Sequence, residues 1–180
     1  MEPDPYGIPE RFFGPLSPEL PALIGRVVML STLLETKVWA FACSIANEPQ
    51  SEYAATNVSE NITLSKKRLE HYQMNVKERT FALKADELLD DINTALSARN
   101  EIIHRVWPKS GLDEWAGWKH IRKNNRVSLD EISGEVKWTN WSSYSRHDLI
   151  ALISKMIQLI DHATELVAEV GSIPRRDNLL

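Results

Sequence analysis

The chain holds one cysteine, Cys43, in 180 residues, so an intramolecular disulfide is excluded and nothing points to an oxidising compartment. Glycine is also scarce. Seven scattered residues leave no glycine-rich phosphate loop, and nucleotide-fold chemistry is not expected. The sequence contains no His-Glu-x-x-His, no paired Cys-x-x-Cys and no Gly-x-Ser-x-Gly elbow. No uninterrupted apolar run approaches the roughly 18 residues that a membrane-spanning helix needs. The start, Met1-Glu2-Pro3-Asp4-Pro5, is acidic and proline-rich, the opposite of a secretory signal. A cytoplasmic protein with no membrane partner is the expectation.

What is present is an ordinary globular composition, 43% hydrophobic and 26% charged, in a chain long enough for one domain with an arm and an insertion. The net charge of −4 is unevenly spread. Residues 1–98 carry nine Lys/Arg against fourteen Asp/Glu, and 127–180 carry five against eight. Between them, 99–126 carries seven against three, a basic segment inside an acidic protein that could gather an anionic ligand. A solvated loop with a few cations is the plainer alternative.

Hydrophobic periodicity predicts an all-α, four-to-five-helix bundle. Residues 1–17 form a proline-rich arm whose aromatics, Tyr6, Phe12 and Phe13, suit contact with the body or a partner. Residues 18–180 are expected to form a single helical domain. Its first helix starts at Ser17-Pro18 or Leu20-Pro21 and ends by Ala46. The stripe is Leu20, Ile24, Val27, Leu34, Val38, Phe41 and Ile45, widened by Leu23, Leu30 and Leu33. Cys43 fits there as a small core residue. Residues 47–63 are a polar connection with room for a turn of helix. A second helix is placed at about 64–78 on Leu69, Tyr72 and Val76. A third, about 81–107, has the stripe Ala85, Leu88, Leu89, Ile92, Ala95, Leu96, Ile102, Ile103 and Val106, and Pro108 ends it. An insertion at about 108–144 breaks the pattern. Trp118–Ile121 and Val136–Trp141 suggest a short Trp-rich β-ribbon, or else a loop, before the last helix. That helix is signed by a Ser145–Asp148 capping box, carries Leu149, Leu152, Ile153, Met156, Ile157, Ile160, Ala163, Val167 and Val170, and stops at Gly171.

Three clusters could carry chemistry. Asp86, Glu87, Asp90 and Asp91 could hold Mg²⁺, but carboxylates near a helix start are favoured by the dipole anyway, and a solvated face is the stronger reading. Asp161, His162 and Glu165 lack a further ligand in sequence and read the same way. The third cluster is Ala98-Arg99-Asn100-Glu101-Ile102-Ile103-His104-Arg105-Val106-Trp107. Asn100 and His104, four apart, share a helix face, so the amide can orient the imidazole. Arg99 lies about 100° round and can reach the same anion from the side. A histidine that exchanges a proton beside a guanidinium that neutralises phosphate oxygens suits RNA transesterification. The structural alternative puts Arg99 and Glu101 on a solvated face, His104 over the last carbonyls, and Glu101 paired with Arg105.

The stretch Arg99-Asn100-x-x-x-His104 resembles the HEPN family, whose nucleases carry Arg, a polar residue and then His near the end of a bundle helix. The layout covers residues 18–170 and the motif six of them. The resemblance implies a metal-independent endoribonuclease without cofactor, of the kind found as toxins or antiviral effectors, acting on RNA as a homodimer with two motifs facing one cleft. It makes Arg99 and His104 the catalytic pair and Asn100 the orienting residue, and implies an antitoxin or other protein partner. Arg105, Lys109, Arg122 and Lys123, interleaved with Trp107, Trp115 and Trp118, then become the candidate RNA platform. The alternative from another class is a non-catalytic HEPN-like bundle serving protein interaction or dimerisation.

Overall fold

The computed structural model describes residues 19–46, 57–72, 76–107, 114–119, 128–129, 136–137 and 141–171. The expected arm, and much of the expected insertion, lie outside the described residues. The protein is all-α, and the described residues form four helices, α1 Glu19–Ala46, α2 Val58–Leu69, α3 Val76–Ile103 and α4 Arg146–Val170, with short strands between α3 and α4. The chain divides into two compact units, one comprising Met1–Val28 with Ala98–Ile153 and the other Met29–Ser97 with Ser154–Leu180.

In the second unit the four helices form a bundle around Leu34, Val38, Phe41, Phe81, Leu89, Ile92, Met156 and Leu159, each nearly inaccessible to solvent. Phe41 and Phe81 meet at 6.3 Å and Tyr72 and Phe81 at 5.9 Å, which sets the end of α1 against the start of α3. Cys43 is buried with them, a core residue as expected. Helix α2 begins six residues before the expected position. Asn57 caps it, its side-chain oxygen accepting from the Glu60 amide at 3.0 Å. The helix closes through tight turns, His71 N to Arg68 O and Tyr72 N to Leu69 O, both 3.0 Å. Leu69, Tyr72 and Val76 keep helical spacing across this break, yet Val76 belongs to α3 and is 84% exposed.

The first unit has a smaller core of Leu20, Leu23, Ile102 and Leu149, with Ile24, Trp107, Tyr144, Ile150, Leu152 and Ile153 packed against it. Arg146 and Glu19 form an ion pair between the first turns of α4 and α1. Helix α3 stops at Ile103, four residues before the expected end, because the backbone at Arg105–Val106 pairs as strand β1 with β2, Glu114–Lys119. Strand β2 in turn pairs antiparallel with β5, Trp141–Ser145, with Trp118 opposite Trp141. This register differs from the expected ribbon of 118–121 against 136–141; Val136–Lys137, β4, pairs instead with β3, Ser128–Leu129. Strand β5 passes into α4 with no residue between them. The join is a reciprocal capping box: the Asp148 amide donates to Ser145 Oγ at 3.1 Å, and the Ser145 amide donates to Asp148 Oδ2 at 2.7 Å.

Some stripe positions turn outward. Leu33 is 52% exposed and Ile157 46%, while Leu159 and Leu166 are buried in their helix's core stripe. Among the described residues α1 alone is long and apolar enough, by length and composition, to cross a bilayer; Arg26, Glu35 and Lys37 interrupt it, and Leu20, Leu23, Val27, Leu34, Val38, Phe41 and Ile45 of its stripe are buried in the protein.

Ile102 is 1% exposed and Ile103 only half-buried, so Ile102→Ala should lower stability by about 2–4 kcal/mol and Ile103→Ala by about 1 kcal/mol, measured by denaturant unfolding. The backbone and side-chain hydrogen bonds from Ser145 hold the Asp148 carboxyl below its ordinary value. Its contribution is therefore present above the unfolded value of about 3.9 and is lost as pH falls through the lower folded value. Thermal melts of Asp148→Asn should lose less on going from pH 5 to pH 2 than those of the parent.

Candidate functional site

The Arg99-Asn100-x-x-x-His104 stretch occupies the last turn of α3 and the residue beyond it. The face that buries Ala85, Leu89, Ile92, Ala95 and Leu96 continues to Arg99 and Ile102. Arg99 accordingly sits half-buried, with its Nε enclosed. The opposite face bears Asn93, Ser97, Asn100 and His104 at three- and four-residue spacing, all exposed. Asn100 and His104 therefore share one solvent-facing strip, and their main chains are joined by a 3.4 Å bond from the His104 amide to the Asn100 carbonyl. Arg99 comes off the helix about 100° away, toward the stripe that feeds the core.

The end of the helix is fastened from beyond. The Trp107 indole donates to the Ile102 carbonyl at 3.3 Å, satisfying one of the terminal carbonyls that no further helical amide can reach. Trp107 also meets Tyr144 edge to face at 5.8 Å. His104 is thus the single residue between a helix and a strand, each anchored independently. Trp107 was expected as part of an RNA platform; the contacts described here are to α3 and to Tyr144, and the signal for that tether was the indole placed five residues after a carbonyl at a helix end.

Of the expected RNA-contacting cations, Arg105 contributes its backbone to β1, and Lys109, Arg122 and Lys123 lie outside the described residues. The competing acidic cluster is engaged elsewhere. Lys66 of α2 reaches both Asp86 and Asp90 at 2.8 Å, and Lys155 of α4 pairs with Asp91. Burial alone would lower the Lys66 pKa, but the hydrogen bonds and charges of Asp86 and Asp90 outweigh it and raise the value. Asp161, His162 and Glu165 point to solvent from α4. Among the described residues no group of three or more His, Cys, Asp or Glu is placed to hold a metal ion. A groove of about 240 Å³ between α2 and α3 is lined by Lys66, Leu69, Arg79 and Asp86, among others, and by none of the motif residues.

No family model, no curated protein and no solved structure matches this chain.

The different settings of the two charged motif residues have a measurable consequence. His104→Ala, at an exposed position, should leave the melting temperature nearly unchanged, a loss within about 0.5 kcal/mol. Arg99→Ala removes an alkyl stem from the core-facing stripe and should cost about 1–2 kcal/mol. Differential scanning fluorimetry of both variants beside Ile102→Ala checks the order.

Proposed function

We propose that the protein is a HEPN-type, metal-independent endoribonuclease that cleaves RNA by attack of the 2′-hydroxyl. The observation that carries this reading is the exposed pair Asn100 and His104 on one face of the last turn of α3, with Arg99 on the same turn. In the proposed reaction the 2′-oxygen forms a bond to phosphorus as the bond to the 5′-oxygen breaks. One imidazole takes the 2′-hydroxyl proton and one gives a proton to the leaving oxygen, while Arg99 neutralises the charge that builds on the non-bridging oxygens. The products are a 2′,3′-cyclic phosphate and a 5′-hydroxyl. Asn100 orients the imidazole through its amide. Two histidines in one cleft would divide the acid and base roles, so the proposal includes a two-fold homodimer with Arg99 and His104 near its axis. A cytoplasmic toxin or defence effector, held in check by an antitoxin or other protein partner, is the setting in which such an activity fits.

A second reading follows from Arg99. Its position in the core-facing stripe, with Nε enclosed, also suits a non-catalytic bundle in which the guanidinium helps hold the end of α3. The two readings separate in one assay. Purified protein should cleave single-stranded RNA in EDTA and leave cyclic phosphate ends. His104→Ala and Arg99→Ala should each slow cleavage by about 10²-fold or more. Activity that disappears on chelation and returns with Mg²⁺, or that survives His104→Ala, would overturn the ribonuclease mechanism.

A further inference from the structure

Several exposed charges of α3 have partners on neighbouring helices. Lys84 reaches Glu169 of α4 at 3.9 Å, Lys66 of α2 holds Asp90, and Lys155 of α4 holds Asp91. Lys77, Arg79 and Glu87 are exposed and form no ion pair among the described residues, and the last two share a face. Midway between them stands Leu83, 59% exposed. A leucine on a surface is ordinary by itself. Its place between two unpaired charges of opposite sign is not. The spacing is also symmetric. Four residues back, from Leu83 to Arg79, move about 6 Å along the helix axis and about 40° round it, and four forward, to Glu87, move the same amounts in the opposite sense. A two-fold axis through Leu83, perpendicular to the helix, inverts both the height and the angle. It lays Arg79 of one copy against Glu87 of the other and repeats the pair on the far side.

We propose that this face of α3 docks a second copy of the chain, antiparallel, with Leu83 on the two-fold axis and Arg79 paired to the partner's Glu87. A contact between unlike surfaces would place the opposite charges on two separate patches. Here both stand on one patch, either side of an apolar centre, which is what a closed two-fold contact requires. The two leucines meet at the lip of the groove between α2 and α3, whose lining includes Arg79 and Leu83 with the buried Leu69 and Ala82. That apolar lining gives the partner's leucine a seat, and the ion pairs at either end set the register. The face lies wholly within the second unit, whereas Arg99, Asn100 and His104 belong to the first. The inference therefore does not rest on the ribonuclease reading and brings together different residues from those of the composite cleft.

Sedimentation velocity of the full chain at micromolar concentration gives the first reading. Arg79→Glu sets like charges against each other twice and should weaken the association about ten-fold or more, halving the mass of the assembly. Arg79→Glu combined with Glu87→Arg restores the opposition with the signs exchanged and should restore the wild-type mass. Both changes lie on an exposed face and should keep the helical content seen by circular dichroism. A dimer formed only at the composite cleft would keep its mass through Arg79→Glu, which separates the two interfaces and overturns this one. A wild-type monomer, or a double variant that stays dissociated, overturns it as well. A second measurement reads the register. Helices packed about 8–10 Å apart bring residues on a two-fold axis within disulfide reach. Leu83→Cys should cross-link between copies under mild oxidation about ten-fold faster than Ile157→Cys, an exposed position on α4, while the buried Cys43 takes no part. Equal rates at the two positions would overturn the proposal.

Discussion

A helix that ends inside a protein leaves its last carbonyls without amide partners, and how α3 meets that demand organises everything around the motif. The chain turns into a strand after one residue, so the backbone that could have continued the helix takes its hydrogen bonds from β2 instead. The Trp107 indole returns to the Ile102 carbonyl, and Ile102 itself is buried against Leu20, Leu23 and Leu149. The exposure of His104 follows from this. The residue at the changeover keeps a helical amide bond to Asn100 but belongs to no strand, and its side chain is exposed while Ile102 before it is committed to the core.

The same economy governs the carboxylates of α3. Four acidic side chains within six residues would repel one another and weaken the helix if left alone. Lysines from two other helices meet three of them, Lys66 between Asp86 and Asp90 and Lys155 at Asp91. These are partly exposed pairs whose individual energies are small. Their value lies in register: they allow α2 and α4 only positions along α3 at which cation and anion coincide. A cluster with the composition of a metal site thereby serves helix alignment.

Much of this architecture was legible in the sequence. The limits of α1 and α4 came from local signals, the proline-rich start and Pro49 for one, and the Ser145–Asp148 box and Gly171 for the other. The start of α2 was equally local, since Asn57 precedes Glu60 by three residues, but the 3–4 spacing of Leu69, Tyr72 and Val76 ran across a break that neither glycine nor proline marks. The end of α3 was not legible, because it depends on Arg105 and Val106 meeting Lys119 and Trp118, a pairing that no local pattern encodes. In the candidate site the shared face of Asn100 and His104 follows from a four-residue interval alone. The enclosure of Arg99 depends on which face of the helix meets the core, and the charge of its side chain had suggested the opposite.

The strands between α3 and α4 are joined to those helices with almost no slack, one residue at the start and none at the end. An insertion tied in this way behaves as a lever and not as a tether. Tilting the β1–β2–β5 sheet would strain both joins, the Ser145–Asp148 box at the start of α4 and the Trp107 bond back to Ile102 at the end of α3. Exchanging the segment for a flexible linker would free two helix ends at once, so evolution could change the tip of this insertion far more readily than its base.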